Sequence, residues 1–180
     1  MRNLRGKILD RLLRAHSTPG DEGEVAEILI GHWRTGGWDA VRHGRYAVSA
    51  TRLHTGLARP RLLVCAHMDS PGFAVDAVTA SAIRMTNLGG VRFETETTDV
   101  VVKTACGHFR GTVRQSREGE ESSRQYHLEG VSLEARVRRG DRACYIAEPR
   151  FAESGLITSP FLDNRLGCWL LCLLAEILER

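Results

Sequence analysis

A short apolar run that leads directly into a histidine and an aspartate constrains the fold of this sequence more than any other feature. Residues 62–64 are Leu-Leu-Val, and residues 65–73 continue as Cys-Ala-His-Met-Asp-Ser-Pro-Gly-Phe. A leucine and β-branched run bounded by polar residues predicts an interior strand of a parallel sheet. Because such sheets bind ligands beyond the carboxyl ends of their strands, we expect His67 and Asp69 to lie where chemistry can take place.

His67 and Asp69 also have the spacing of a metal-binding pair. Side chains two apart on an extended segment point the same way, so the imidazole can bind a metal ion while the carboxylate orients its other nitrogen. A single His-x-Asp pattern is a weak signal, however, and a strand-end histidine beside a turn-forming aspartate has the same sequence. Spacing alone leaves both interpretations open.

A further candidate lies near the carboxyl end, in residues 159–168 (Ser-Pro-Phe-Leu-Asp-Asn-Arg-Leu-Gly-Cys). The aspartate of this segment, Asp163, comes immediately before an apolar helix. A carboxylate there accepts hydrogen bonds from the first free amides and interacts favourably with the helix dipole. From the residues alone, an N-cap is therefore the simplest interpretation of Asp163.

The remaining segments predict an α/β chain with a β insertion. Apolar residues at helical spacing predict helices over residues 4–15 and 21–35, and residues 38–50 alternate around a glycine as a hairpin does. Short period-two segments follow, at 73–78, 82–85, 100–103, 109–113, 133–137 and 143–146. Residues 53–60 and 114–124 are predicted loops. We therefore predict a small β-barrel or sandwich at residues 72–150, inserted between residues 1–71 and 151–180 of one α/β unit.

Composition and charge exclude several other classes of protein. The chain has 180 residues, of which 42% are hydrophobic and 26% charged, an ordinary globular composition. The net charge of +3 and a local basic stretch at residues 136–142 are too small to indicate nucleic acid binding. No apolar run is long enough for a signal region or a membrane span. Five irregularly spaced cysteines predict reduced thiols and a cytoplasmic location.

Several segments together resemble one enzyme family. Residues 66–69 (Ala-His-Met-Asp) resemble the first metal motif of metallopeptidase family 42, residues 86–90 (Thr-Asn-Leu-Gly-Gly) its paired-glycine segment, and residues 163–167 (Asp-Asn-Arg-Leu-Gly) its second metal motif. This family includes glutamyl aminopeptidases, tetrahedral aminopeptidases and endoglucanase-like proteins. The N-terminal helix followed by residues 17–24 also matches the order of its segments. Ser-Pro at residues 70–71 departs from the pattern and looks more like the aspartyl aminopeptidases.

The resemblance implies a fold, a reaction and a role for each candidate residue. The fold would be part of a zinc-exopeptidase-type α/β/α sandwich. Residues 1–71 and 151–180 would belong to its catalytic domain, and the inserted β domain would serve oligomerisation or substrate access. The reaction would be removal of N-terminal residues from peptides with the help of two divalent metal ions, zinc or cobalt. His67 would bind one ion, Asp69 would serve catalysis by orienting that site, and Asp163 would bridge both ions.

The resemblance covers only the N-terminal portion of the family. In the family the bridging aspartate is followed by a Glu-Glu pair, which supplies the general base and a ligand, and later by a carboxylate and a histidine. This sequence stops at Arg180, and its own pair, Glu120-Glu121, precedes Asp163 in a polar loop. We therefore expect a metal site that is incompletely liganded and an isolated chain with little activity.

Three interpretations of the chain stay open. It is the N-terminal portion of an aminopeptidase completed by other polypeptide, a non-catalytic relative that acts as a binding or assembly module, or a structural protein whose β insertion mediates oligomerisation. The helix predicted over residues 166–180 has almost no polar face until Glu176, so we expect it to contact a second copy or a complementary subunit. The expected partners are thus a peptide substrate and protein, with no nucleic acid and no membrane.

Overall fold

The computed structural model describes residues 2–52, 62–91, 93–117 and 124–178, and it has a mixed α/β fold with a closed six-stranded barrel. In chain order the elements are α1 (Arg2–Arg14), α2 (Gly23–Thr35), β1 (Asp39–His43), β2 (Ala47–Thr51), β3 (Gly72–Val78), β4 (Ile83–Leu88), β5 (Thr97–Thr104), β6 (Gly107–Arg117), β7 (Arg124–Glu129), β8 (Arg142–Tyr145), β9 (Arg150–Phe151), β10 (Ile157–Thr158) and α3 (Leu162–Leu178). The chain divides into two compact units, residues 1–69 with 147–180, and residues 70–146. The assignment of these units as a catalytic domain and its insertion stays a prediction.

The first two helices and the first hairpin form where the sequence pattern predicts them. α1 buries Ile8 and Leu12, and Ala15 directly after the helix continues the helical spacing of i, i+4 and i+7. After α2, Gly37 adopts a φ of +77°, the left-handed conformation that commonly ends helices. β1 and β2 pair antiparallel, and Gly44 in the connecting turn has a φ of +61°. These three predictions are confirmed.

The core of the first unit is formed by the three helices, the first hairpin and one residue near His67. Its buried residues are Ile8, Leu12, Ala15, Val25, Ala26, Leu29, Ile30, Trp33, Ala40, Met68, Cys168, Cys172 and Ala175. α3 contributes small residues to this core, whereas its larger Leu170 and Ile177 are 52% and 59% exposed. α3 is therefore apolar on its exposed side as well as on its buried side. No helix of the described residues, α3 included, is long and apolar enough to cross a membrane.

The second unit is a closed antiparallel barrel with the strand order β3-β4-β7-β6-β5-β8. β3 pairs with β8 to complete the circle, and Gly72 lies opposite Cys144. Side chains alternate between the two faces of a strand, so Phe73 and Val75 of β3 both point into the barrel and are buried. Closure gives each strand two neighbours and thereby pairs the backbone groups that an open sheet leaves exposed at its edges. The prediction of a small β-barrel is confirmed.

One of the predicted barrel strands is wrong. Residues 133–137 contain a 3₁₀ turn instead of a strand, and Leu133 is 97% exposed. The side chain of Ser132 accepts a backbone hydrogen bond at the start of this turn, a local contact that competes with strand pairing. The barrel is completed by β7, a strand absent from the sequence prediction, which buries Tyr126 and Leu128 on alternate positions.

The predicted interior strand before His67 is also absent from the structure. Residues 62–71 have no regular secondary structure, and Leu62, Leu63 and Val64 are 80%, 86% and 48% exposed. All strand pairs among the described residues are antiparallel. An interior strand needs a neighbour on each side, and the part of the chain that the structure describes offers residues 62–64 none.

Some predictions fall on residues that the structure does not describe. The predicted loop at residues 53–60 and the Glu120-Glu121 pair lie outside the described residues. The second predicted loop, residues 114–124, is wrong at both ends, because residues 114–117 belong to β6 and β7 begins at Arg124, while residues 118–123 lie outside the described residues.

Candidate metal site

His67 lies between two carboxylates. Its Nε2 atom is 3.1 Å from Oδ1 of Asp163, although 96 positions separate the two residues in the chain. Its Nδ1 atom is 3.3 Å from Oδ1 of Asp69 and 3.1 Å from the backbone oxygen of the same residue. The structure thus brings together the three residues that the sequence predicts as site residues.

Asp163 is not the N-cap of α3. Asp163 and Asn164 have non-helical backbone angles, with φ −91°, ψ 105° and φ −122°, ψ 37°, and the peptide bond between them is cis. The regular helix begins after Asn164, whose Oδ1 accepts a hydrogen bond from the Gly167 amide at 3.0 Å. Asn164 is therefore the cap, which corrects the simplest interpretation of the sequence. The carboxylate of Asp163 is 93% exposed and faces His67.

The two facing atoms fit as ligands of one divalent ion. A histidine nitrogen and a carboxylate oxygen bound to zinc at about 2.1 Å in tetrahedral geometry lie about 3.4 Å apart, close to the 3.1 Å between Nε2 of His67 and Oδ1 of Asp163. A mixed nitrogen and oxygen donor set suits zinc and similar ions. Nevertheless, no group of three or more His, Cys, Asp or Glu side chains in the described residues is arranged to hold a metal. His67 and Asp163 therefore fit a partial site.

The contact between His67 and Asp163 is too exposed to hold their segments together alone. The two side chains are 51% and 93% exposed, and exposed ion pairs contribute about 1 kcal/mol or less to stability. Less exposed contacts hold the backbone beside them. The Cys168 thiol of α3 donates to the His67 carbonyl at 3.4 Å, and the Ser17 hydroxyl donates to the Met68 carbonyl at 2.9 Å. These contacts join the backbone of residues 67–68 to α3 and to Ser17.

A buried arginine beside the site was not predicted from the sequence. Arg165 is 0% exposed, and its Nη1 donates to the carbonyl oxygens of Leu12 at 2.9 Å and Ala15 at 3.4 Å. These oxygens belong to the C-terminal end of α1, where carbonyls lack partners within the helix and the dipole favours a cation. The guanidinium carbon also lies 5.7 Å from the centroid of the Phe161 ring. The sequence feature that could have indicated a buried arginine is the position of Arg165, two residues after Asp163 in an otherwise apolar helix.

Residues 50–180 match the family model of the M42 glutamyl aminopeptidases. The chain belongs to this family. The range that matches the M42 family includes His67, Asp69 and Asp163, so the resemblance inferred from their motifs is confirmed at the level of the family.

Several solved peptidase structures share the fold of this M42 chain. The TET aminopeptidase from the marine sediment archaeon Thaumarchaeota archaeon SCGC AB-539-E09 aligns with a TM-score of 0.84 and 20% identity, over 99% of this chain and 55% of its own. Aminopeptidase APDkam598 from Desulfurococcus kamchatkensis aligns with a TM-score of 0.77 and 23% identity, over 97% and 52%. The TET1 peptidase of Pyrococcus horikoshii, which can assemble into a tetrahedron or a large octahedral shell, aligns with a TM-score of 0.75 and 19% identity, over 97% and 56%. The M42 chain thus spans about half the length of the structures it matches.

The two cysteines of α3 are core residues with unreactive thiols. Burial raises the pKa of Cys168 to about 11 and that of Cys172 to about 12. At pH 8 about one Cys168 thiol in a thousand would be ionised, and the thiolate is the reactive form.

We expect iodoacetamide at pH 8 to modify the exposed Cys65 and Cys106 in the folded chain. Neither cysteine of α3 should react until urea unfolds the chain. Peptide mass mapping measures which cysteines are modified. Rapid modification of Cys168 in the folded protein would contradict this burial.

We expect Asn164→Ala to lower the free energy of unfolding by about 1 kcal/mol, because it removes the N-cap hydrogen bond to the Gly167 amide. Asn164→Asp keeps an acceptor oxygen at this position and should retain most of the stability. A Cβ at Gly167 would overlap the Asn164 side chain, so the cap also depends on glycine there. Urea unfolding measures the difference. An alanine variant as stable as the aspartate variant would show that Asn164 is not the cap.

Two other features of this M42 chain do not assemble three metal donors among the described residues. Cys106 and His108 lie exposed at the turn between β5 and β6, in the barrel unit. From the basic stretch, Arg138 and Arg139 are exposed and line an open cleft of about 630 Å³. The complete lining of this cleft is Asp76, Ala77, Val78, Arg84, Val137, Arg138 and Arg139. It offers one carboxylate and neither an imidazole nor a thiol, so it does not fit a metal site.

Proposed function

We propose that this chain forms part of the active site of a metal-dependent aminopeptidase, which removes N-terminal residues from peptides. The observation that carries the proposal is the approach of His67 Nε2 to Asp163 Oδ1, at 3.1 Å, in an M42 chain. Two of the structures that share its fold are named aminopeptidases, which supports the same reaction.

The three residues would have distinct roles. Asp69 would hold the Nδ1 side of the His67 imidazole, through its backbone oxygen at 3.1 Å and its carboxylate at 3.3 Å. This arrangement favours a proton on Nδ1 and leaves Nε2 as the ligand atom. His67 and the exposed carboxylate of Asp163 would hold zinc or cobalt, with Asp163 shared between two ions. When bound, two such ions lower the pKa of a shared water and polarise the peptide carbonyl.

Further polypeptide would have to complete the site. Hydrolysis also needs a general base that accepts a proton from the attacking water, and further metal ligands. We propose that these come from a longer form of this chain or from a complementary subunit, because the chain spans about half the length of the structures it matches. Completion would also give the exposed residues 62–64 their neighbouring strands and form the zinc-exopeptidase-type α/β/α sandwich.

Zinc binding measured by isothermal titration tests the proposal. We expect the wild-type chain to bind zinc more weakly than a four-ligand site does, and His67→Ala and Asp163→Ala to weaken binding by about tenfold or more. His43→Ala is the matched control, because His43 is another exposed histidine, 2.7 Å from Ser49 in the first hairpin. Equal zinc affinity of the wild type and His67→Ala would overturn the proposal.

We expect the isolated chain to hydrolyse aminoacyl anilides poorly even with excess zinc or cobalt. A missing general base removes a factor of roughly 10² to 10⁴ in rate, and missing ligands weaken metal binding further. Release of the aniline product from several aminoacyl anilides measures this activity. Robust turnover that His67→Ala abolishes would show that the chain carries every required group, and it would contradict a partial site.

A second candidate function is binding or assembly without catalysis, and the apolar exposed side of α3 favours it. Leu166, Leu170 and Ile177 are 36%, 52% and 59% exposed on this helix. Contiguous apolar surface of this kind marks protein interfaces. A complementary subunit or a second copy of the chain would cover it. The Pyrococcus horikoshii TET1 peptidase, which shares the fold, forms large assemblies.

The cysteines support a cytoplasmic site of action. The described residues include five cysteines and no disulfide, as expected for a chain in a reducing compartment. The net charge of only +3 does not indicate nucleic acid binding, which leaves a peptide as the proposed substrate.

A further inference from the structure

Ser17 contacts the two segments that carry the candidate metal site, next to His67 and close to Asp163. Its hydroxyl donates to the carbonyl of Met68 at 2.9 Å, and its own carbonyl is 3.5 Å from Nη2 of Arg165. Met68 follows His67 directly, and Arg165 comes two positions after Asp163. One serine therefore connects two segments whose functional side chains are 96 positions apart.

The residues that make this connection are buried, unlike the side chains of the site. Ser17, Met68 and Arg165 are 1%, 7% and 0% exposed. A buried hydrogen bond does not exchange with water, so removing its donor leaves the carbonyl without a partner. The bond from Arg165 to Ser17 is long and weak by itself. Arg165 is nevertheless fixed, because the same guanidinium donates to Leu12 and Ala15.

The backbone that carries Ser17 is itself held in place. Residues 18–21 form a tight turn in which the Asp21 amide donates to the Thr18 carbonyl at 2.8 Å. Pro-Gly occupies the centre of this turn, and Gly20 has the φ of +85° that such a turn requires. The Glu22 carboxylate accepts a further hydrogen bond from the Gly20 amide at 2.6 Å. The serine oxygen is thus presented to Met68 by a backbone of defined geometry.

We propose that Ser17 is a positioning residue of the candidate metal site, which fixes the backbone of His67 relative to the start of α3. By doing so it sets the distance between Nε2 of His67 and Oδ1 of Asp163. This inference rests on the proposed metal-binding function. It also gives residues 17–24 a physical role. In the sequence, these residues only match the order of segments in the family.

Two variants of adjacent residues test the role of Ser17. Ser17→Ala removes the hydroxyl that donates to Met68. Thr18→Val removes a neighbouring hydroxyl that is equally buried, at 0% exposed, and that has no hydrogen-bond partner among the described residues. The two changes therefore remove similar groups from adjacent positions, but only Ser17→Ala breaks the hydrogen bond to Met68.

Two measurements are made on both variants and on the wild type. In the metal-free chain, we expect the NMR order parameters of the backbone amides of residues 65–69 to fall from about 0.85 to below about 0.6 in Ser17→Ala, and to keep the wild-type values in Thr18→Val. In isothermal titrations, we expect the zinc affinity of Ser17→Ala to fall by about tenfold and that of Thr18→Val to stay within twofold of the wild type.

The outcomes separate the two proposals. A wild type that binds no zinc would overturn the proposed function, while the order parameters still decide whether Ser17 holds residues 65–69. A wild type that binds zinc and a Ser17→Ala variant that binds it equally well would overturn the positioning role alone. If Ser17→Ala does not fold, Ser17→Cys replaces the hydroxyl by a weaker donor of similar size. Wild-type order parameters and zinc affinity in Ser17→Cys would also overturn the role.

Discussion

Replacement of the buried Arg165 by methionine is expected to lower the free energy of unfolding by about 3 kcal/mol. The guanidinium donates to Leu12 and Ala15 at the end of α1, at 2.9 and 3.4 Å. Hydrogen bonds from charged groups contribute about 1.5 to 3 kcal/mol, and methionine leaves these carbonyls without a donor while filling much of the same space. The expected loss is a large share of the roughly 5 to 15 kcal/mol that stabilises a domain.

Urea unfolding of two further variants tests whether the loss of stability is specific to the buried Arg165 and its hydrogen bonds. Arg14→Met changes an arginine at the end of the same helix that is 53% exposed and paired with Asp10, so we expect a change of about 0.5 kcal/mol or less. Arg165→Lys keeps the charge without the planar fork and should be intermediate. Equal midpoints for Arg165→Met and Arg14→Met would show that Arg165 does not cap α1.

Two glutamates on the exposed side of α3 are expected to turn a self-associating chain into a monomer. Leu170 and Ile177 are 52% and 59% exposed, and covering each of them would stabilise an interface by about 1.5 kcal/mol or more. Leu170→Glu with Ile177→Glu should therefore weaken association by about 3 kcal/mol, or roughly a hundredfold in the dissociation constant. Because both residues are exposed in the folded chain, the substitutions should leave the fold intact.

Sedimentation velocity over a range of concentrations measures this association. Leu133→Glu is the control, because Leu133 is a 97% exposed leucine in the barrel unit and its replacement should leave association unchanged. A wild-type chain that sediments as a monomer at high concentration would contradict the prediction. A dimer that persists in the double variant would place the interface on another surface.

The predictions that succeeded depend on patterns contained within single elements. Helical spacing of apolar residues located α1 and α2, and period-two alternation located most of the barrel strands. The prediction failed at residues 133–137, where Ser132 caps a turn locally, and at residues 62–64, whose burial depends on neighbouring strands. In both places the sequence pattern is compatible with a strand, and contacts outside the pattern decide the structure.

The candidate site was predictable only in part for a related reason. His67, Asp69 and Asp163 are residue types that bind metals, in motifs that resemble one family. The N-cap was placed one residue too early, because Asp and Asn are equally good caps and only the backbone angles distinguish Asp163 from Asn164. The buried contact between Arg165 and Leu12 joins residues 153 positions apart, and no local pattern indicates which carbonyls lack a partner.

The pairing of β3 with β8 has a consequence for the segments that precede and follow the barrel in the sequence. Gly72 lies opposite Cys144, so the chain enters and leaves the barrel at neighbouring points, about 5 Å apart. For the first unit, the 77 residues from 70 to 146 therefore act as a connection with closely spaced ends, because Gly72 and Cys144 near those ends are paired. The entropy of closing that connection does not grow with the number of residues in the barrel, as it would for a flexible loop. The barrel could accordingly be exchanged for another domain with adjacent termini without lengthening the path between the segments that carry His67 and Asp163.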